Sequence, residues 1–357
     1  MSFLTIRHVA LRGFAAAVPS RVEENVDLPF FAEGEAEKVI KSTGIERRHV
    51  VEPGTTTADL SLPAALRLLD ELGWAPESID ALIFASSSRD YITPSTSCIL
   101  QDRLGLSESI YTTDIPYGCT GWVHGMSVIS ALLATGEMKR GLLMAGDTST
   151  QMNYPDDKES RPLFGDAATV TALEYSSECE PLLFNFGTEG KNYQAIITRD
   201  GGMRHPFSES SLVPVEYGRG IKRRNIDCKI DGMEVFAFSS FRGEQCVREF
   251  YSHFGVAEEE IDYFLFHQAN RYMIERIRKK LKVDPAKVPY SLSDYGNTSC
   301  ASIPLTLLVK HPEDYRNRPL KTLACAFGVG LCWGAVHFTT NGLCCSDLIL
   351  YDPEKRS

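Results

Sequence analysis

Residues 73–88 read GWAPESIDALIFASSS, and residues 255–270 read GVAEEEIDYFLFHQAN. Gly73, Ala75, Glu77, Ile79, Asp80 and Phe84 match Gly255, Ala257, Glu259, Ile261, Asp262 and Phe266, about 180 residues further on. The correspondence continues in order. YGCT at 117–120 meets YGNT at 295–298, and GLLMAG at 141–146 meets TLACAFG at 322–328. Three ordered matches at nearly one offset imply a duplicated unit. Within it, ALIFASSS (81–88), GLLMAGDTS (141–149), YFLFHQA (263–269) and TLACAF (322–327) are continuous apolar runs, as strands buried on both faces are. Helical patterns at 60–72, 121–136 and 270–282 lie between them, so the fold class is α/β. The expected halves are 1–178 and 179–357.

If the halves are equivalent, so are Cys119 and Asn297. Each follows a strand and a glycine, and each opens a helical segment. Pseudo-symmetry brings the two helix starts to one central site. A helix N-terminus carries unpaired N–H groups and partial positive charge, which favours a thiolate at Cys119. His267, at the polar end of its strand, joins them, because ligands collect at the ends of such strands. Cysteine as nucleophile with histidine and asparagine as donors is equipment for thioester chemistry. Each residue also has an ordinary structural use: a core thiol, a satisfied histidine, a turn asparagine.

Composition narrows the function classes. The chain has 357 residues, 43% hydrophobic and 24% charged, with a formal charge of −10. That argues against nucleic acid as partner. Ten cysteines without CxxC pairs or metal-ligand spacing read as reduced thiols, with no metal site and a cytoplasmic home. In MSFLTIRHVALRGFAAAVPS, Arg7, His8 and Arg12 interrupt the apolar stretch, so a strand is expected there and not a signal peptide. The most apolar stretch, 322–338, is too short for a membrane span and contains three glycines, so strand, tight turn and strand are expected.

DIPYGCTGWVHGMSVISALL (114–133), LFGDAA (163–168), HQANRYMI (267–274), DYGNTSCASIPLTL (294–307) and FGVGLCWGA (327–335) occur in that order. With STGIERRHVV (42–51), they resemble the β-ketoacyl-acyl-carrier-protein synthase III family of the thiolase superfamily, along essentially the whole chain. The resemblance implies a homodimer of duplicated halves layered α/β/α/β/α, with no cofactor beyond the phosphopantetheine of its substrates. It implies that Cys119 takes the acyl group and that His267 and Asn297 hydrogen-bond a malonyl thioester while CO2 leaves. The acyl oxyanion would rest on backbone N–H groups of Cys119 and Val329, where the family usually has glycine in place of Val329. Thr43, Asn270, Arg271, Gly328 and Gly330 would bind substrate or pantetheine.

Three departures shape the expectation. The Trp and Arg that stack coenzyme A in the family are met here by Lys38 and Lys158. An acyl carrier protein is therefore a candidate donor beside acyl-coenzyme A, and basic runs on 271–280 and at RGIKRR (219–224) would suit it. Where short-chain members close the acyl pocket with a partner-subunit Phe, this chain has Thr93, which implies a medium or long acyl donor. The expected reaction is decarboxylative condensation with malonyl-acyl carrier protein. The alternatives are acyl transfer to an oxygen or nitrogen acceptor, and a non-catalytic partner subunit.

Overall fold

A computed structural model describes residues 2–218 and 221–355. Strand Ala81–Ala85 runs parallel to Arg140–Asp147, with Phe84 beside Met144. Strand Tyr263–Phe266 runs parallel to Pro319–Gly328, with Phe266 beside Cys325. The repeat read from the sequence is thus a repeat of strand pairing. Each pair extends into its own sheet. The first runs Cys344–Cys345, Val9–Pro19, Ala167–Tyr175, Arg140–Asp147, Ala81–Ala85, Tyr111–Ile115. The second runs Ser2–Ile6, Leu182–Thr188, Cys332–Asn341, Pro319–Gly328, Tyr263–Phe266.

Successive side chains leave a strand on opposite faces, and this sorts the core into layers. Ala81, Ile83 and Ala85 point inward, with Tyr263 and Leu265 of the other sheet. Between the sheets lie helices Gly121–Leu133 and Ser302–Lys310, which contribute Trp122, Met126, Ile129, Ile303 and Leu307 to that central cluster. Leu82 and Phe84 point outward against helix Thr57–Leu72, through Leu60, Ala64 and Leu68. Phe264 and Phe266 point outward against helices Gly232–Phe254 and Arg271–Leu281, through Val247, Phe250, Ile274 and Ile277. The result is five layers, α/β/α/β/α.

The termini cross between the halves. Ser2–Ile6 pairs with Leu182–Thr188 in the second sheet, while Cys344–Cys345 and Ile349–Tyr351 pair with Val9–Pro19 in the first. A cut between 178 and 179 falls in the connection between Ala167–Tyr175 and Leu182–Thr188, and the terminal strands lie across it. The apolar stretch 322–338 folds as strand, turn and antiparallel strand, with Gly328 paired to Cys332.

Candidate active site

Cys119, His267 and Asn297 line one cavity of about 1040 Å3, together with Gly328, Val329 and Gly330. Cys119 sits just before helix Gly121–Leu133, which packs between the sheets, so the two halves meet at its sulfur. The strand end Gly328 lies against it. A Cβ added there would come within 2.6 Å of the Cys119 Cβ and 2.8 Å of its Sγ. At Gly330, φ is +144°, a conformation that suits glycine. Val329 is accommodated because its side chain turns toward Gly118, where an added Cβ would meet Val329 Cγ1 at 3.1 Å.

The electrostatics differ from the sequence expectation. Burial, with the Asp147 carboxylate adding to it, pushes the Cys119 thiol up to about 12, while the Val329 N–H and the Ser299 hydroxyl pull the other way. The helix start does not make a resting thiolate. With the thiol held that high, its protonated form predominates at neutral pH.

His267 is 1% exposed. Burial pushes its imidazole down to about 4, against an opposing pull from the Ser299 backbone, so the ring is neutral at pH 7. Nδ1 lies 2.8 Å from Ser302 Oγ, and that oxygen also accepts from the Gln268 N–H at 3.3 Å. The Ser302 hydroxyl fixes the plane of the ring, and the tautomer in which Ser302 donates to Nδ1 is the one that carries the ring proton on Nε2. Asn297 is oriented in the same sense. Its Oδ1 accepts from the Ser299 N–H at 2.9 Å, which leaves the Nδ2 hydrogens to donate. The LFGDAA stretch fixes its backbone: Asn297 N–H donates to Leu163 O at 2.8 Å, and Gly165 N–H donates to Asn297 O at 3.2 Å. Gly165 is required there, since an added Cβ would lie 2.2 Å from Tyr295 O.

Asp147 is fully buried under the end of strand Arg140–Asp147. Its Oδ1 accepts from the Ser87 N–H at 2.8 Å, and from the hydroxyls of Ser86, Ser87 and Ser88 at 3.0, 2.9 and 3.1 Å. It thereby ties the ends of the two central strands together beside Cys119, with Ser87 on the cavity wall. The sequence reading missed this serine triplet and Ser302. Their only signal was polar residues directly after an apolar strand or within a helix start.

Other expected residues fall elsewhere. Asn270 lines the cavity, but its Oδ1 caps helix Arg271–Leu281 by accepting from the Met273 N–H at 2.9 Å. Arg271 is not on the cavity wall. It lies against Gly44 and over the Tyr290 ring, 5.5 Å from its centre. Thr43 is also off the wall, and its hydroxyl donates to Val39 O at 2.8 Å. Thr93 is exposed and away from the chain's own cavity. Lys158 pairs with Glu35 at 2.9 Å. In the basic run 219–224, Arg219 and Gly220 lie outside the described residues. Arg223 is buried between Asp157 and Glu159, both at 2.6 Å, and Arg224 pairs with Asp227 at 2.7 Å. Arg223 and Arg224 are thus engaged in ion pairs within the chain and Lys222 alone of the described basic residues there is exposed, which corrects the reading of Arg223 and Arg224 as docking charges. On helix Arg271–Leu281, Arg278 and Lys280 are paired with Glu275 and Glu244, while Arg271, Arg276 and Lys279 form no ion pair among the described residues.

A protonatable thiol, two oriented N–H donors and backbone N–H groups on one cavity are the parts of an acyltransferase that works through cysteine. The comparisons with known proteins agree. The family model for 3-oxoacyl-[acyl-carrier-protein] synthase III matches residues 113–190, and the model for its C-terminal part matches residues 252–340. A β-ketoacyl-[acyl-carrier-protein] synthase III of Clostridium perfringens is 31% identical over 331 residues, covering 92% of this chain and 98% of its own. One from Desulfitobacterium hafniense is 30% identical over 329 residues, covering 92% and 96%. The crystal structure of a 3-oxoacyl-(acyl-carrier protein) synthase from Burkholderia xenovorans LB400 superposes with a TM-score of 0.92 at 33% identity, covering 98% of this chain and 99% of that one. The chain belongs to the 3-oxoacyl-acyl-carrier-protein synthase III family and has its thiolase-like fold. No helix among the described residues is long and apolar enough to cross a membrane.

Proposed function

We propose that this enzyme condenses an acyl thioester with malonyl-acyl carrier protein through an acyl-Cys119 intermediate. The observation that carries the reading is the convergence of Cys119, His267 and Asn297 from the two halves on one cavity. In the first step the Cys119 sulfur attacks the donor carbonyl, and the thiol proton passes to the departing carrier thiolate. The N–H groups of Cys119 and Val329 hold the oxyanion. In the second step Nε2–H of His267 and Nδ2–H of Asn297 donate to the malonyl thioester carbonyl. CO2 leaves, the enolate carbon attacks the acyl carbonyl, and the Cys119 thiolate departs and takes a proton from solvent. Two neutral donors suit this step, because negative charge develops on the oxygen they face. Release of CO2 from malonyl-acyl carrier protein, dependent on acylated Cys119, tests the reading. Acyl transfer to an oxygen or nitrogen acceptor without CO2 release would replace it.

The donor is taken to be longer than acetyl, and to arrive on coenzyme A or on acyl carrier protein. A cavity of about 1040 Å3 has room for such a chain. Arg271, Arg276 and Lys279 offer positive charge to an acidic carrier beside Tyr272, at the cavity mouth. The working unit is taken to be a cytoplasmic homodimer, consistent with ten free cysteines and with the exposed Tyr91 and Ile92 next to Thr93. In that dimer Thr93 would reach the partner's acyl pocket, so Thr93→Phe should shorten the longest accepted chain. An unchanged chain-length profile would remove Thr93 from the pocket.

A further inference from the structure

The cavity that holds Cys119 is largely apolar, and two side chains with a full charge line it, Arg89 and Asp200. Asp200 is engaged. Its Oδ2 accepts from Ser211 Oγ at 2.8 Å, and its Oδ1 lies 4.0 Å from Arg199 Nε. Arg89 is not engaged. It is exposed, stands on the cavity wall, and forms no ion pair or hydrogen bond among the described residues. A few well-placed polar groups orient what such a cavity binds, so an uncommitted guanidinium on its wall points to an anionic group on the ligand.

Two observations place Arg89 beside the acyl part of a thioester. The first is its nearness to Cys119. Arg89 stands two residues beyond Ser87, whose Oγ lies 3.5 Å from where a Cβ on Gly118 would be, and Cys119 is next in the chain. Two residues span at most about 7 Å, so Arg89 is anchored close to the sulfur, whereas the phosphate of a pantetheine arm lies at the arm's far end. The second is the repeat. Phe84 matches Phe266, and five residues on from each stands an arginine, Arg89 in the first half and Arg271 in the second. Arg271 lies off the wall over the Tyr290 ring, and Tyr272 beside it is at the cavity mouth, where a carrier arm leaves. The halves meet at Cys119, so Arg89 flanks the sulfur from the first half as Tyr272 and the mouth flank it from the second.

We propose that the acyl donor is a half-thioester of a dicarboxylic acid longer than malonate, and that the Arg89 guanidinium pairs with its free carboxylate. The inference rests on the reading of Cys119 as the acylated nucleophile. A carboxylate taken into a largely apolar cavity without a counter-charge is heavily penalised, and the Arg89 fork offsets that penalty with charge-assisted hydrogen bonds. The malonyl extender has no need of this residue. On the proposed mechanism its carbonyl is held by His267 and Asn297 of the second half, and a firm ion pair on its carboxylate would oppose the loss of CO2.

The test measures the rate of Cys119 acylation by intact-protein mass. Sets of three N-acetylcysteamine thioesters share one acyl length and end in a carboxylate, a primary amide or a methyl group, and the length is increased from set to set. At one length the wild-type enzyme should react about tenfold faster with the carboxylate member than with either neutral one. Arg89→Gln should lose that advantage, and Arg89→Lys should keep part of it. No carboxylate preference at any length in the wild-type enzyme would overturn the proposal while leaving acyl-Cys119 intact. A preference that survives in Arg89→Gln would overturn it too. Two other partners for Arg89 are told apart by further readings. If Arg89→Gln slows acylation from every coenzyme A thioester and leaves the N-acetylcysteamine thioesters unchanged, the anion is the phosphate of the carrier. If it lowers the mass in solution from dimer to monomer and leaves the donor preference unchanged, the anion is a carboxylate of a second copy. Either result overturns the proposal. If no thioester acylates Cys119, the proposed function falls together with the inference. The wild-type comparison stands even if the Gln variant fails to fold.

Discussion

Cys119 and Asn297 occupy corresponding places in two copies of one unit, and their surroundings differ in kind. Each follows a glycine and precedes a helix that packs between the sheets, but only Cys119 follows a strand, Tyr111–Ile115; the strand expected before Asn297 is a helical turn, Leu292–Tyr295, and a second turn, Ser299–Ala301, comes before its helix. In the first half the strand end is a ladder of hydroxyls, Ser86 to Ser88, closed around Asp147. In the second half the corresponding strand end carries His267, which Ser302 orients. One copy holds a sulfur with a carboxylate close behind it, and the other holds two neutral N–H donors. Duplication thus supplied two symmetric positions, and on the proposed mechanism one serves as nucleophile and the other as part of an electrophilic clamp.

That contrast can be broken at several points. The widest range is expected from pH. With the Cys119 thiol pushed up to about 12, its alkylation by iodoacetamide should rise about tenfold per pH unit from pH 7 to 10. A plateau by about pH 8, below the range where an ordinary thiol of pKa about 8.5 levels off, would mean that the helix start outweighs burial and Asp147. His267→Ala and Asn297→Ala should each lower decarboxylation of malonyl-acyl carrier protein by about a hundred- to a thousandfold, while Cys119 still becomes acylated. Loss of both steps together would erase the division of labour between the halves. Because the His267 imidazole is held near 4, decarboxylation should show no histidine titration between pH 6 and 8.

Gly328→Ala places a methyl group 2.8 Å from the Cys119 sulfur. It should slow acylation about ten- to a hundredfold and lower the melting temperature by roughly a few degrees. The smallest effect belongs to Ser302→Ala, which frees the His267 tautomer. About a tenfold loss in decarboxylation is expected, with Cys119 acylation unaffected. Equal losses in both steps would make Ser302 a packing residue only.

The strands of both sheets were legible because a strand buried on two faces reads as an unbroken apolar run, and the repeat at 73–88 and 255–270 exposed their equivalence. Cys119, His267 and Asn297 were legible because their positions follow from that equivalence. The exchange of terminal strands was not, since pairing by two residues at Cys344–Cys345 leaves no periodicity to read. Arg223 looked like part of a surface patch because sequence shows the charge but not Asp157 and Glu159, which come from a distant loop to meet it. The direction of the Cys119 shift was missed for a similar reason. The helix start is local and visible, whereas burial and the Asp147 carboxylate come from tertiary packing. Thr43 matched a motif by position and Arg271 stood displaced beside its expected place, and both side chains are engaged away from the cavity wall.

The central claim is that Cys119 carries the acyl group. The most direct measurement is the intact mass of the protein after incubation with acyl thioesters on coenzyme A and on acyl carrier protein, followed by peptide mapping. An acyl adduct on the peptide containing Cys119, absent in Cys119→Ala, is the predicted result. An adduct on another residue, or equal labelling of the Cys119→Ala variant, would contradict it.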